Sequence, residues 1–408
     1  MQGKELAVRL RAALLILTVI LWVTSSYAAT EKILHSFGGG SDGTYPTSAL
    51  VVDASGHLYG TTFAGGAYGL GTAFELSPNA GGGWTEKILH SFGNGTDGGN
   101  LYAGLIFDAS GNLYGTTYAG GAYGAGTVFE LSPRTGGGWA EKILHNFGNG
   151  TDGANPCASL IFDAAGNLYG TTYQGGAYTS GTVFEMSPKA GGGWTEKTLH
   201  SFGKGTDGAK PFYGLIFDAS GNLYGTTNLG GLYTYYGVAF ELMPKVGADW
   251  MEKILHSFGN TGDGSNPSGL IFDASGNLYG TTSSGGAGYL GTVFELTPSS
   301  GGDWTETLIF SFDFTDGSDP HAGVIFDAAG NLYGVTDEGG ASESGTAFEL
   351  TLGNGGTWTE TILHSFAFDG RDGANPYASL VSDAAGNLYS TTDAGGTYGV
   401  GAVFEITR

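Results

Sequence analysis

The fold is decided by the stretch GNLYGTT at residues 111–117, because the chain contains seven copies of it. The copies follow one another at intervals of 54 to 56 residues, with single replacements such as His57 for asparagine in the first. A period this regular is the signature of a repeated supersecondary unit. The copies begin at Gly56, Gly111, Gly166, Gly221, Gly276, Gly330 and Gly386.

One repeat, residues 105–147, contains four short runs of β-forming residues. The runs are 105–108, 113–117, 127–131 and 139–147, separated by turn residues or glycine-rich loops. This spacing, with no helical periodicity, indicates an all-β structure. Four antiparallel strands form a propeller blade, and blades cover their faces by stacking around a ring. The sequence therefore predicts a seven-bladed β-propeller over residues 29–408, with repeats of about 55 residues.

The two ends of the chain predict how the ring closes. The last repeat stops in its third strand at 404–408, whereas residues 31–37 match a fourth strand with no blade before it. We expect this N-terminal strand to complete the seventh blade, which removes open sheet edges. A linear solenoid would need capping repeats at its ends, and the sequence contains none.

The repeat also resembles a known family. GNLYGTT, followed by Gly-Gly and then by GTVFEL at 126–131, is similar to the tandem GloVer repeat of bacterial extracellular proteins. The resemblance covers residues 31–408. It implies a bacterial protein that is exported or held at the cell surface. The family has largely no assigned activity, so the resemblance implies no catalytic residues.

The N-terminus reads as a secretory signal peptide at residues 1–28. Lys4, Arg9 and Arg11 precede an apolar run at 12–23, and Ser26 to Ala28 offer small residues for cleavage. This run of 12 residues falls short of the ~20 that span a bilayer. We therefore expect a secreted protein, extracellular or periplasmic, with no membrane span.

Composition narrows the function classes. The net charge is -23, and because the leader carries +2, residues 29–408 carry -25. A chain with this much negative charge repels phosphate backbones, which argues against a nucleic-acid partner. There are 78 glycines, but 40% hydrophobic residues are too many for a disordered chain. The only cysteine, Cys157, excludes an internal disulfide, and we expect a buried, inert thiol in a monomer.

Residues that recur in nearly every repeat are interpreted as fold residues. An aspartate ends strand one, where the following Ala-Ser/Ala-Gly-Asn predicts an Asx turn. A histidine in strand four is replaced by Phe310 in one copy, which indicates packing rather than ligation, and a tryptophan opens the same strand. The aspartates at the end of strand one are Asp53, Asp108, Asp163, Asp218, Asp273, Asp327 and Asp383. The histidines of strand four are His35, His90, His145, His200, His256 and His364, and the tryptophans that open that strand are Trp84, Trp139, Trp194, Trp250, Trp304 and Trp358.

A second Asp-Gly pair lies in each connection from one blade to the next. Oxygen-rich loops suit Ca²⁺, but glycine there also supplies positive φ for a turn. Turn formation is the interpretation that we favour, with calcium as the alternative. The aspartates are Asp42, Asp97, Asp152, Asp207, Asp263, Asp316 and Asp372.

Positions that vary among blades are the candidates for function. In a propeller the loops between strands two and three share a face with the inter-blade connections, and loops on a rigid scaffold carry binding sites. One variable position follows Thr-Thr; the other follows the proline of the connection. They give blades one to three aromatic residues, and blades six and seven acids. The predicted ligand-binding residues are Phe63, Tyr118, Tyr173, Asn228, Asp337, Asp393, Tyr102, His321 and Tyr377.

Blade six adds a dense acidic stretch at residues 313–321. Grouped carboxylates bind Ca²⁺ or divide into a general acid and a general base. We therefore predict a metal site, with Ca²⁺ as the ion, at Asp313, Asp316 and Asp319. The alternative is a solvated acidic loop rim.

Three function hypotheses remain open. The first is a secreted, non-catalytic binding propeller for carbohydrate or a cell-surface polymer, since aromatic rings stack on sugars. The second is an extracellular polysaccharide hydrolase or lyase that uses the acidic loops of blades six and seven. The third is a structural or adhesive repeat protein. The sequence contains no Gly-x-Ser-x-Gly, His-Glu-x-x-His or P-loop motif, so the first is preferred.

Overall fold

Seven four-stranded antiparallel blades form the protein; in six of them the strands follow chain order across the sheet, and in the seventh the outermost strand comes from the N-terminus. The computed structural model describes residues 29–38, 41–245 and 250–408. The predicted signal peptide, residues 1–28, lies outside the described residues. Within them, no helix has the length and apolar character needed to cross a membrane.

The two inner strands of each blade differ in length. Strand one has two residues: Val51–Val52, Ile106–Phe107, Ile161–Phe162, Ile216–Phe217, Ile271–Phe272, Ile325–Phe326 and Val381–Ser382. Strand two follows the Asp-x-x-Gly turn: Leu58–Thr62, Leu113–Thr117, Leu168–Thr172, Leu223–Thr227, Leu278–Gly285, Leu332–Thr336 and Leu388–Gly395.

The two outer strands are longer and form a hairpin. Strand three comprises Thr72–Pro78, Thr127–Pro133, Thr182–Pro188, Val238–Pro244, Thr292–Pro298, Thr346–Leu352 and Ala402–Thr407. Strand four comprises Trp84–Ser91, Trp139–Asn146, Trp194–Ser201, Trp250–Ser257, Trp304–Ser311, Trp358–Ser365 and Thr30–Ser36. Short accessory strands lie in the loops at Gly43–Thr44, Ala64–Gly65, Gly208–Ala209, Leu229–Gly230, Gly264–Pro267 and Gly373–Pro376.

The N-terminal strand closes the ring, as the sequence predicted. It pairs antiparallel with the last strand of the chain, with Thr30 opposite Thr407 and Ser36 opposite Ala402. The register shifts between Ile33 and His35, as it does at the equivalent point of the other outer hairpins. The first and last segments of the chain therefore form one ordinary blade.

The hydrophobic core lies between blades rather than within them. One cluster joins Tyr59 and Ala73 of blade one to Leu113 and Phe129 of blade two. Strand two is fully buried, and its glycine is a packing residue: a Cβ on Gly115 would lie 2.7 Å from the Phe129 ring. Because each blade buries its faces only against its neighbours, the blades stabilise one another around the ring.

The recurring aspartate of strand one forms the predicted Asx turn. Asp108 Oδ1 accepts hydrogen bonds from the backbone amides of Ser110 and Asn112 at 2.8 and 2.9 Å. Its Oδ2 accepts the side-chain amide of Asn112 at 2.8 Å. Both oxygens of the carboxylate accept hydrogen bonds within the turn, which confirms the predicted role of this aspartate in the fold.

The strand-four histidine packs, as predicted, but it also contacts an aspartate that the sequence interpretation did not assign to it. The His145 ring lies edge-on to Phe147, with 4.7 Å between centroids. Its Nε2 lies 3.0 Å from Oδ2 of Asp152, the aspartate of the Asp-Gly pair. The same carboxylate accepts the amide of Gly148 at 3.1 Å, so histidine and turn form one unit.

Candidate functional site

The variable residues converge where the inter-blade connections reach the ring axis. A cavity of about 140 Å³ lies there, and we call it the mouth. Six of the seven residues at the second variable position line it: Thr47, Tyr102, Cys157, Phe212, His321 and Tyr377. Burial raises the pKa of the Cys157 thiol, which fits the inert thiol expected from the sequence.

A sharp corner places these side chains. The residue two positions earlier has positive φ in all seven blades, between 54° and 60°. Asparagine occupies four of the corners, and its side chain donates to the backbone carbonyl at the first variable position of the preceding blade. Asn155, for example, donates to the Tyr118 carbonyl at 2.9 Å. The corners are Tyr45, Asn100, Asn155, Lys210, Asn266, Asp319 and Asn375.

Aromatic rings form one continuous side of the site. The Tyr102 ring lies 4.8 Å from Phe63, 5.2 Å from Tyr118 and 6.0 Å from Phe212. Phe212 in turn lies 6.0 Å from Tyr173. The structure therefore brings together four of the predicted ligand-binding residues, with Phe212 of blade four between Tyr102 of blade two and Tyr173 of blade three.

The opposite side is built from blades six and seven and is polar. The His321 ring stacks on Tyr377 at 4.6 Å between centroids, and its Nε2 lies 3.3 Å from Asp319 Oδ1. Asp337 joins them, because ligand atoms of Asp319, His321 and Asp337 all lie within 4.8 Å of one another. Three predicted ligand-binding residues and Asp319, a predicted metal ligand, thus form a single cluster.

Burial and neighbouring charges perturb the acids of this cluster. Burial raises the pKa of Asp337 to about 6; the His321 charge opposes this rise, and Asp319, Glu338 and Asp393 add to it. Burial also raises the pKa of Asp393. For His321 burial favours the neutral ring, but hydrogen bonding to Asp319 and the surrounding carboxylates prevail and raise its pKa. The polar side can therefore hold a proton near neutral pH.

A second depression, which we call the side pocket, joins the two sides. It has a volume of about 350 Å³ and is lined by Tyr45, Thr47, Phe63, Tyr102, Tyr377 and Asp393. Tyr102, Tyr377 and Thr47 also line the mouth, so the two spaces share walls. A molecule in the side pocket would touch aromatic faces and the Asp393 carboxyl together.

Asn228 stands apart from these two spaces. Its backbone carbonyl accepts the Asn266 side chain at 2.9 Å, and its Oδ1 is buried with no hydrogen-bond partner among the described residues. It lines neither the mouth nor the side pocket.

The three aspartates predicted to bind metal are divided between two places. Asp313 is exposed and accepts hydrogen bonds from Thr315, while Asp316 accepts the Asp313 amide at 2.9 Å, as the equivalent aspartates accept glycine amides. Asp319 belongs to the cluster at the mouth. Within the part of the chain that is described, no ligand group contains all three.

Two residues of the site were missed by the sequence analysis. Tyr45 lines the side pocket, and the Lys210 ammonium lies 4.9 Å from the centre of the Tyr173 ring. Both occupy the corner where asparagine is commonest. Few residues other than glycine and asparagine tolerate positive φ. A tyrosine or lysine at a position where other repeats have asparagine is therefore the signal that could have identified these two residues.

Solved structures with the same fold have distant sequences. The extracellular domain of a protein of Bacteroides thetaiotaomicron described as a hybrid two-component system has a TM-score of 0.56 and 11% identity; the match covers 91% of this chain and 39% of that one. This chain thus spans about two fifths of that domain. A protein of Bacteroides uniformis described as a 6-phosphogluconolactonase has a TM-score of 0.53 and 16% identity, over 84% and 88% of the two chains. Identities this low show the fold alone.

Sequence comparison gives a family. No curated protein matches the chain. The Gloeobacter/Verrucomicrobia repeat matches residues 19–240, 81–287 and 213–408, which together include all seven blades. The GloVer resemblance is thereby confirmed, and the chain belongs to the Gloeobacter/Verrucomicrobia repeat family.

Proposed function

We propose that the protein is a secreted binding propeller that recognises a carbohydrate at the mouth and side pocket. The observation that carries this proposal is the pairing of aromatic rings with acids across a shared space, with Phe63 and Tyr102 facing Asp393. Aromatic faces pack against the C–H surfaces of a sugar ring, while carboxylates accept its hydroxyl groups. Small-ligand sites combine an apolar lining with few polar groups in this way.

The size of the site favours a short glycan over a large folded partner. The side pocket of about 350 Å³ lies at the lower end of the range of small-molecule sites, roughly 300–1,000 Å³. A monosaccharide or the terminal unit of a polymer fits this volume. Recognition of a terminal unit is compatible with a surface polysaccharide as the natural ligand.

Binding is tested by titration calorimetry with a panel of neutral and acidic mono- and oligosaccharides. Tyr102 touches Phe63, Tyr118 and Phe212, so Tyr102→Ala is expected to weaken binding about 30-fold, as for a residue worth about 2 kcal/mol. Tyr123→Ala is the matched control, because Tyr123 is 56% exposed and lines neither space. Equal binding by both variants, or no binding by the wild type, would contradict the proposal.

A hydrolase or lyase is the second candidate, favoured by the pKa of Asp337 at about 6. A carboxyl with such a pKa donates or accepts a proton efficiently near neutral pH. Reducing-sugar release is measured in the same samples, with Asp337→Asn and Asp393→Asn as variants. Release that Asp337→Asn abolishes would replace the binding proposal by the enzyme; self-association without sugar binding would favour the adhesive protein.

A further inference from the structure

The outer edge of the ring carries a second kind of polar cluster, remote from the mouth. Six of the seven seams between neighbouring strands four combine the histidine–aspartate pair of one blade with a glutamate from the next. At the seam between blades three and four these residues are His200, Asp207 and Glu252. His200 Nε2 lies 3.1 Å from Asp207 Oδ2 and 3.9 Å from Glu252 Oε1.

Two oxygens of this seam are left without partners. Asp207 Oδ1 and Glu252 Oε1 are both buried and have no hydrogen-bond partner among the described residues. The Asp207 side chain is only 6% exposed. Buried carboxylate oxygens are costly unless a donor or a cation satisfies them. Burial and the neighbouring Asp207 raise the pKa of Glu252 to about 9, so the two carboxyl groups share a proton that a cation can replace.

The cluster is open to solvent on one side. It forms part of a depression of about 460 Å³, lined also by Trp250, Tyr178 and Lys204. Lys204 is exposed, so water and salt screen its charge. An ion can therefore reach the three ligand atoms, and water can complete its coordination.

We propose that this seam binds a divalent transition-metal ion, such as Zn²⁺, through His200, Asp207 and Glu252. Zn²⁺ accepts both imidazole nitrogen and carboxylate oxygen as ligands, whereas Ca²⁺ takes oxygen ligands only. Zinc ligands at about 2.0–2.2 Å lie roughly 3.3 Å apart in tetrahedral geometry. The observed separations of 3.1 and 3.9 Å therefore require only small side-chain movements.

The two seams on either side of the closing strand have the same form. Their ligand atoms also lie within 4.8 Å of one another, in the groups His35, Asp42, Glu86 and Glu31, His364, Asp372. Glu86 Oε1 and Glu31 Oε1 are again buried without a hydrogen-bond partner within the described part of the chain. Because Glu31 and His35 belong to the N-terminal strand, ions at these seams link that strand to blades six and one.

Other seams provide natural controls. Between blades two and three, Glu196 accepts a hydrogen bond from Thr198 at 3.1 Å, and this seam does not form a compact ligand group. Between blades five and six, Phe310 stands in place of histidine. The protein itself thus shows that phenylalanine is accommodated at this strand position.

Metal content after EDTA treatment, reloading with Zn²⁺ and desalting tests the proposal. We expect about three seam ions per chain, and His200→Phe is expected to lower the count by one. His145→Phe makes the same substitution in the Glu196 seam and is expected to leave the count unchanged. The mouth cluster of Asp319, His321 and Asp337 is unchanged in both variants, so any zinc bound there cancels in the comparison.

The outcomes are distinguishable. No retained zinc in the wild type, or equal counts in the wild type and His200→Phe, would overturn the proposal. An equal loss in His145→Phe would assign binding to the histidine–aspartate pair alone and would also overturn the three-ligand site. Circular dichroism of each variant establishes that it is folded, and Asp207→Asn provides a second test at the same seam. An excess of Ca²⁺ is expected not to displace the zinc.

Discussion

At the scale of single residues, the corner before the mouth shows how a fold position becomes a functional one. Its backbone has φ between 54° and 60°, a region costing most residues roughly 1–2 kcal/mol and asparagine less. Tyr45, Lys210 and Asp319 accept this conformation and forgo the hydrogen bond of an asparagine side chain. All three residues contact or line the candidate site. The protein therefore has a less favourable backbone conformation at the positions that form the site.

Lys210→Asn is therefore expected to stabilise the protein by about 1 kcal/mol, through a better corner residue and a regained hydrogen bond of the type that Asn155 makes. The measurement is urea unfolding of the variant and the wild type. Asn155→Lys, the reverse substitution at the equivalent corner, is expected to destabilise by a similar amount. A less stable Lys210→Asn would mean that the contact between Lys210 and Tyr173 outweighs the corner.

Sequence reasoning at the residue scale predicted most of the residues that line the mouth and the side pocket, but not how the acidic residues divide between two places. The aromatic and acidic loop positions were identified because they vary while their neighbours repeat. Asp316 and Asp319 were grouped because they are close in sequence, yet one lies in the outer turn and the other at the mouth. The connection between blades runs from the outermost strand of one blade to the ring axis, so residues that are close in sequence there lie in different places. Sequence distance alone does not show this separation.

At the scale of the element, strand four does more than pack. Its histidine was interpreted as a packing residue because Phe310 replaces it once, but the structure pairs the histidine with the aspartate that follows seven residues later. The glutamate of strand four lies near the histidine of the neighbouring blade. The sequence of a single strand does not show which residues of the next blade it contacts. Pairing partners within a repeat can be inferred from spacing, whereas partners across a seam need the geometry of the ring.

Glu141 of strand four is expected to make stability depend on pH. Burial, with the Asp97 charge, raises its pKa from 4.5 to about 7. A carboxyl whose pKa is higher in the folded state stabilises fully below about pH 4.5 and loses that effect as pH rises through 7. Glu141→Gln cannot ionise, so at pH 8 it is expected to be more stable than the wild type by about 1–2 kcal/mol, after allowance for solvent screening.

Unfolding in urea with EDTA at pH 5 and pH 8 measures this difference. The control is Glu130→Gln on the adjacent strand, where the carboxylate pairs with Lys142 at 3.5 Å. Because the Lys142 side chain is largely exposed, removing that pair is expected to change stability by less than about 1 kcal/mol. A Glu141→Gln variant with the same pH dependence as the wild type would refute the role of Glu141.

At the scale of the whole molecule, the fold was predictable because counting sufficed. Seven copies of one motif, a last repeat of three strands and a first strand without a blade leave one closed arrangement, and the pairing of Thr30–Ser36 with Ala402–Thr407 confirms it. Function was not predictable in this way, since repeats encode the ring and only departures from the repeat encode the site.

Closure through one short strand also concentrates the stability of the ring at one seam. Thr30 and Thr407 lie opposite each other in the closing strand pair, and both are exposed. The Cα atoms of opposite residues in an antiparallel pair are about 4.5–5.5 Å apart, which is within the range of disulfides. A disulfide between Thr30→Cys and Thr407→Cys would therefore join the two ends of the ring. It encloses nearly the whole chain, whereas Thr297→Cys with Thr305→Cys encloses a single hairpin. Since the entropy removed from the unfolded chain grows with loop length, the closing disulfide is expected to stabilise by about 3 kcal/mol more than the hairpin disulfide. Unfolding midpoints in oxidising and reducing buffer measure both gains; equal gains would show that the N-terminal strand does not limit the stability of the ring.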